Sequence, residues 1–192
     1  MTKFVGQLSK ADVNLLSHYA KEYPKILEFG AGGSTMIFAQ TTPKKVLTME
    51  PNPVWVARTL SNLSVLGADS SKYEIVPYSL KSIEDEYDLV FVDGTANERF
   101  PFALVAFKHL RVGGWILFHD TRERGDLRNF LELAFAYRDE VGHIFMNADG
   151  SNISGIQRKP SEPAYDWSVT EGQLPWQTGA EVPPANWPSL LE

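Results

Sequence analysis

A run of small residues opens the chemistry of this chain: Gly30, Gly32 and Gly33, followed by Ser34 and Thr35. Small side chains let the backbone approach a ligand, and a helix starting behind them offers free N–H groups. Glu50 follows Gly30 by 20 residues, the distance at which an acid accepts the two hydroxyls of a ribose, and Asn52 stands beside it. Further along, His119 and Asp120 are adjacent and could serve as a base or as the orienter of one. Arg99, Arg122 and Arg124 flank the same region. Guanidinium forks match carboxylate or phosphate, so these three predict a small anionic substrate.

These residues do chemistry together only if the fold brings them together. The hydrophobic pattern alternates strands and helices. Ser9 to Tyr23 reads as a helix with a Ser9/Asp12 capping box, stopped by Pro24. Lys25 to Phe29 is a buried strand running into the glycine turn, and Ser34 to Gln40 is the helix behind it. Val46 to Glu50, Tyr73 to Tyr78 and Tyr87 to Val92 follow as strands, with Asn52-Pro53 capping a helix from Val54 to Leu66. Pro101 is expected in the first turn of a helix reaching Leu110. Gly113-Gly114 is expected to turn the chain into a fifth strand, Trp115 to His119. A helix from Asp126 to Arg138 precedes a hairpin, Gly142 to Met146 with Ile153 to Arg158, around Asn147 to Gly150. Alternation of this kind predicts an α/β three-layer sandwich on a mostly parallel sheet. Ligands then bind at the carboxyl ends of the strands, where all the residues above fall.

The type of nucleotide follows from charge. A dinucleotide fingerprint needs a third glycine five residues after the first, and Thr35 stands there. Glu28, beside the loop, would repel a diphosphate and attract a sulfonium or an ammonium. S-adenosylmethionine carries both cations and no phosphate, so the residues favour it over NAD. The segments ILEFGAGGST (Ile26 to Thr35) and VLTMEPN (Val46 to Asn52) resemble the first two motifs of class I S-adenosylmethionine-dependent methyltransferases. YDLVFVDG (Tyr87 to Gly94) and LRVGGWILFHDT (Leu110 to Thr121) are similar to that family's fourth and fifth strand motifs. The resemblance covers roughly Lys25 to Arg158. It implies a Rossmann-like seven-stranded sheet of order 3-2-1-4-5-7-6 with strand 7 antiparallel. It also implies that Glu28, Gly30 and Gly32 surround the methionine part of the cofactor, that Glu50 holds the ribose, and that Tyr78-Ser79 lies near adenine. Ser34, Asn52 and Asp93 complete the expected cofactor site.

Small-molecule O-methyltransferases of the catechol type hold magnesium with aspartates at positions matching Asp93 and Asp120, together with an asparagine. Here Thr121 stands at the asparagine position, and Ala96 at the position of that family's lysine. Asp93 and Asp120 alone would hold magnesium only weakly, so no metal is expected. The implied activity is methyl transfer to a small, anionic acceptor at oxygen. Two alternatives stay open: a methyltransferase-like module that holds the cofactor without catalysis, and an NAD-binding oxidoreductase.

Composition bounds the rest. The 192 residues are 43% hydrophobic and 22% charged, without cysteine, so disulfides, thiolate metal sites and a cysteine nucleophile are excluded. The net charge of −6 is uneven. All 18 basic residues precede Pro160, together with 19 of the 24 acidic ones. A near-neutral body argues against a sequence-independent grip on nucleic acid. No apolar leader or membrane-length run is seen, which predicts a cytoplasmic protein without a membrane partner. Residues 1–159 read as the α/β domain. Residues 160–192, acidic and carrying three of the five tryptophans, read as an extension packed on the body or on a second subunit of a homodimer.

Overall fold

The computed structural model describes residues 7–41 and 44–159; the extension 160–192 lies outside them. Seven strands form one sheet: β1 (Lys25–Phe29), β2 (Lys45–Met49), β3 (Tyr73–Val76), β4 (Tyr87–Val92), β5 (Leu110–Phe118), β6 (Val141–Phe145) and β7 (Ser154–Arg158). Five helices accompany them: α1 (Lys10–Glu22), α2 (Gly33–Thr41), α3 (Pro53–Val65), α4 (Ala96–Lys108) and α5 (Arg124–Ala136). The strand order is β3-β2-β1-β4-β5-β7-β6. Neighbours pair in parallel except β7, which is antiparallel to both β5 and β6. This is the order and the antiparallel strand that the motifs imply.

The order reverses between β1 and β4. Crossovers are right-handed, so helices leading outward from β1 lie on one face and those leading outward from β4 on the other. Accordingly α2 packs with α1 and α3, while α4 packs with α5. β4 lies in the middle of the sheet, and all six of its residues are buried. Its near-continuous apolar run suits a strand covered on both faces. Phe29 at the end of β1 stacks on Phe102 of α4 at 4.8 Å and meets Tyr78 at 4.7 Å, closing the core beneath the switch point.

Local signals account for the element ends that matter to the site. Asp12 N–H donates to Ser9 Oγ (3.1 Å), and Ser9 N–H donates to Asp12 Oδ2 (2.8 Å), which is the expected capping box of α1. Val54 N–H donates to Asn52 Oδ1 (2.9 Å), and Pro53 opens α3 behind that cap.

Two elements differ from expectation by more than a residue or two at their ends. α4 begins at Ala96, so Pro101 lies inside the helix rather than in its first turn. The helix gives up one backbone hydrogen bond there, and its extra first turn carries Arg99 inward. β5 begins at Leu110 and runs straight through Gly113-Gly114. Gly113 has φ +79°, and the pairing with β4 shifts register between Tyr87 and Leu89, so the two glycines form an irregularity within a strand and not a turn. A Cβ on Gly114 would come within 2.7 Å of the Asp88 carbonyl, which is why the strand is bare there.

Candidate active site

The carboxyl ends of β1, β2, β4 and β5 surround a cleft of about 370 Å³. On one side it is walled by the glycine turn with Ser34, Glu50 and Asn52; on the other, by Asp93, Arg99, His119 and Asp120.

The glycine turn is fixed by what it packs against. Gly30 has φ +98°, and a Cβ there would lie 2.6 Å from the Asp93 carbonyl oxygen. Only glycine lets β1 leave the sheet so close to β4. Gly32 is the opposite case: a Cβ there would meet nothing within 4 Å. The space beside it is the cleft. Gly30→Ala should therefore destabilise the fold by about 3 kcal/mol, roughly 10 °C in melting temperature. Gly32→Ala should leave stability within about 0.5 kcal/mol and weaken binding of S-adenosylhomocysteine. Thermal melts beside a calorimetric titration separate the two; equal melting losses would contradict this reading of the turn.

Glu28 is not on the cleft wall. It is fully buried under the turn, where its carboxylate accepts hydrogen bonds from Ser34 Oγ, from Thr35 Oγ1 at 2.7 Å and from Thr48 Oγ1 at 2.7 Å. Thr35 Oγ1 also accepts the Gly32 N–H at 2.9 Å. Burial pushes the Glu28 carboxyl up to about 7, against the pull of the three hydroxyls. The expected direct contact with a cationic ligand is thus corrected to a brace. Glu28 holds the turn through Ser34 and Thr35, and any attraction it exerts on a cation acts from below.

Glu50 sits at the end of β2 and is 8% exposed. Its Oε2 accepts the Ala31 N–H (2.8 Å) and its Oε1 accepts the Asn52 N–H (2.7 Å). One carboxylate thus ties the glycine turn to the start of α3. A carboxylate offers about four lone-pair positions, so each oxygen keeps one for a ligand. Trp55, one turn into α3 and 45% exposed, stands at the mouth with its ring under Arg58 at 5.2 Å. Only its placement three residues after the Asn52 cap would have pointed to it.

The opposite wall is a network of charges. His119, 5% exposed, has Nδ1 3.1 Å from Asp93 Oδ1 and 3.2 Å from Asp120 Oδ1, and Nε2 3.7 Å from Asp12 Oδ2 on α1. Burial pulls the imidazole pKa down, but the hydrogen bonds and charges of Asp120 and Asp93 outweigh it and raise it to about 10. At neutral pH His119 is an imidazolium. The hydrogen bond from His119, with the charges of His119 and Arg99, holds the Asp120 carboxyl below the usual carboxylate range despite its burial. Neither residue suits a general base at neutral pH. Asp120 has φ +58°, a conformation costly for most residues. Asn152 holds it: Nδ2 donates to Asp120 Oδ1 (2.9 Å), Oδ1 accepts Arg122 N–H (3.0 Å), and Asn152 N–H donates to Asp12 Oδ1 (2.7 Å). Asn152 and Asp12 are supports of this wall that sequence reading missed, since residues 12 and 152 meet only in the folded chain.

The three arginines do not form the expected cluster. Arg99 is 8% exposed and committed to the protein: Nε donates to Gly94 O (2.7 Å), Nη2 lies 3.2 Å from Asp93 and 3.5 Å from Asp120, and Nη1 lies 2.8 Å from Asp126. Arg122 and Arg124 are exposed and do not line the cleft, and Arg122 donates to Gly150 O at 3.0 Å. Ser79 likewise lies off the wall, in the connection between β3 and β4.

Asp93, His119 and Asp120 offer ligand atoms within 4.8 Å of one another, the arrangement of a candidate metal site. As placed, the group does not fit magnesium. One of the three donors is a ring nitrogen, whereas magnesium wants oxygen, and Arg99 Nη2 already lies 3.2 Å from Asp93 and 3.5 Å from Asp120. The Thr121 hydroxyl, at the asparagine position, donates to Asn147 Oδ1 (3.1 Å) and pairs with Ser154 Oγ (2.7 Å).

With its strand order, antiparallel β7, glycine turn and strand-end acid, the domain is a Rossmann-like fold of the class I methyltransferase type. Residues 27–121 match the family model described as "Methyltransferase domain". No curated protein matches the sequence. Among solved structures, an O-methyltransferase from Bacillus cereus, in complex with S-adenosylhomocysteine, is 16% identical with a TM-score of 0.64, covering 79% of this chain and 83% of its own. An O-methyltransferase from Streptomyces achromogenes involved in tomaymycin synthesis, in complex with S-adenosylmethionine, is also 16% identical, with a TM-score of 0.65 over 80% of this chain and 82% of its own. A methyltransferase-like protein from Silicibacter pomeroyi is 20% identical, with a TM-score of 0.60 over 91% and 95%. At these identities the likeness is one of fold. Among the described residues no helix is long and apolar enough to cross a membrane.

Proposed function

We propose that the cleft binds S-adenosylmethionine and delivers its methyl group to an oxygen of a small acceptor. The observation that carries this reading is Glu50: a strand-end carboxylate with one free lone pair on each oxygen, beside a glycine turn that leaves open space at Gly32. Two hydroxyls on adjacent ribose carbons suit that pair of acceptors. The methyl of a sulfonium is already activated, so holding donor and acceptor in line supplies much of the rate. Glu50 and Asn52 hold the nucleoside end of the cofactor, and Asp93, His119 and Asp120 face the other end of the cleft. The choice of oxygen draws on the fold relatives from Bacillus cereus and Streptomyces achromogenes, both named as O-methyltransferases. The described wall gives no support to an anionic acceptor, since Arg99 is taken up by aspartates and Arg122 and Arg124 lie off the cleft.

A second reading has one observation in its favour. His119, held as an imidazolium, and Asp120, held below the usual carboxylate range, are both poor bases at neutral pH, which suits a module that holds the cofactor without transfer. Radiolabelled methyl from S-adenosylmethionine, offered to a panel of small phenols, carboxylic acids and amines, decides between them. Label in an oxygen acceptor is the expected result. No transfer to any acceptor by a chain that binds S-adenosylhomocysteine would replace the enzyme with the holding module.

A further inference from the structure

Four contacts of one side chain set the character of the far wall. The Arg99 guanidinium is nine-tenths buried and reaches three carboxylates on three different segments: Asp93 after β4, Asp120 after β5 and Asp126 in the first turn of α5. Its Nε is pinned to the Gly94 carbonyl, so the planar fork cannot swing away from Asp93 and Asp120. Asn152 fixes Asp120 from the opposite side, through Oδ1.

We propose that Arg99, beside the His119 ring, is the fixed cation of this wall, held against the two strand-end aspartates where a divalent ion would otherwise be held, so that the site works without a metal and removal of the guanidinium would open one. Three observations converge. The carboxylates stand close enough to bracket a single ion. The guanidinium already lies against both of them. The neighbouring Thr121 hydroxyl, the next oxygen donor along the chain, is turned to Asn147 and Ser154 and is 1% exposed. Arg99 is then a positioning residue. It fixes the two aspartates that face the acceptor and cancels part of their charge, and it does not receive an anionic substrate. Naming this wall the acceptor end rests on the methyl-transfer reading; the place of the guanidinium does not.

Manganese, whose free hydrated form gives a strong paramagnetic resonance signal, is the probe. The full-length wild-type chain should leave that signal undiminished when ion and protein are mixed in equal amounts. Arg99→Met, shown to be folded by circular dichroism, should quench it with an affinity at least about tenfold above wild type, because the incoming dication replaces a lost positive charge. Adding Asp120→Asn should abolish the gain. Quenching by one ion per wild-type chain, lost in Asp120→Asn, would overturn the proposal, as would a folded Arg99→Met chain that leaves the ion free. Should Arg99→Met not fold, the wild-type titration decides by itself. S-adenosylhomocysteine binding, measured in parallel by calorimetry, separates the two readings. A wild-type chain that binds neither ligand nor manganese upholds Arg99 and overturns methyl transfer.

Discussion

Glu50→Ala is expected to raise the dissociation constant for S-adenosylhomocysteine by about 10- to 100-fold, which corresponds to roughly 1.5–3 kcal/mol, the worth of hydrogen bonds to a charged acceptor. The carboxylate has two jobs that the substitution removes together. It would accept the ribose hydroxyls, and it holds the Ala31 and Asn52 N–H groups at 2.8 and 2.7 Å. The second loss frees the glycine turn from α3, so the turn must be ordered at the expense of binding. Glu50→Gln keeps one acceptor oxygen and should fall between Ala and wild type. Calorimetry well below the melting temperature of each variant makes the comparison. An unchanged constant in a folded Glu50→Ala chain would remove Glu50 from the site.

The second large effect is one of pH. His119 has its pKa raised from 6.5 to about 10 in the fold. A raised histidine contributes stability that is full below the unfolded value and is lost as pH rises through the folded one. Stability should therefore fall between pH 6.5 and about 10. The groups facing the ring are Asp93 after β4, Asp120 after β5 and Asp12 on α1, so the loss loosens three segments at once. A loss of about 2 kcal/mol lowers the melting temperature of a chain this size by roughly 4–8 °C. Glu28 adds a fall of the same sign at lower pH. Its folded pKa is raised from 4.5 to about 7, so its contribution is full below the first value and gone above the second. Melting curves above pH 7 at constant ionic strength isolate His119. The wild-type slope should be steep and that of His119→Asn nearly flat; parallel slopes would mean that the imidazole is not held charged by its neighbours.

Much of the fold can be read along the chain because its signals are local. β1 and β4 run over the residues expected, Lys25–Phe29 and Tyr87–Val92, since each is a short apolar run closed by glycine. The Ser9/Asp12 box and the Asn52-Pro53 cap are likewise settled within a few residues. What escaped depends on partners distant in sequence. Gly113-Gly114 has the form of a turn until the Asp88 carbonyl presses on it from β4. Glu28 looks like a ligand for a cation until Ser34, Thr35 and Thr48 are seen to enclose it. The arginines illustrate the same limit. Spacing brings Arg99, Arg122 and Arg124 to one end of the sheet, but only packing decides which of them is buried. Asp126 and the strand-end aspartates take Arg99 out of the solvent, and Arg122 and Arg124 remain in it.

A calorimetric titration of the wild-type chain with S-adenosylhomocysteine, and then with NAD, tests the central claim most directly. One equivalent of the first should bind, with no saturable heat from the second. Saturable binding of NAD, or no binding of S-adenosylhomocysteine by the folded chain, would contradict the account.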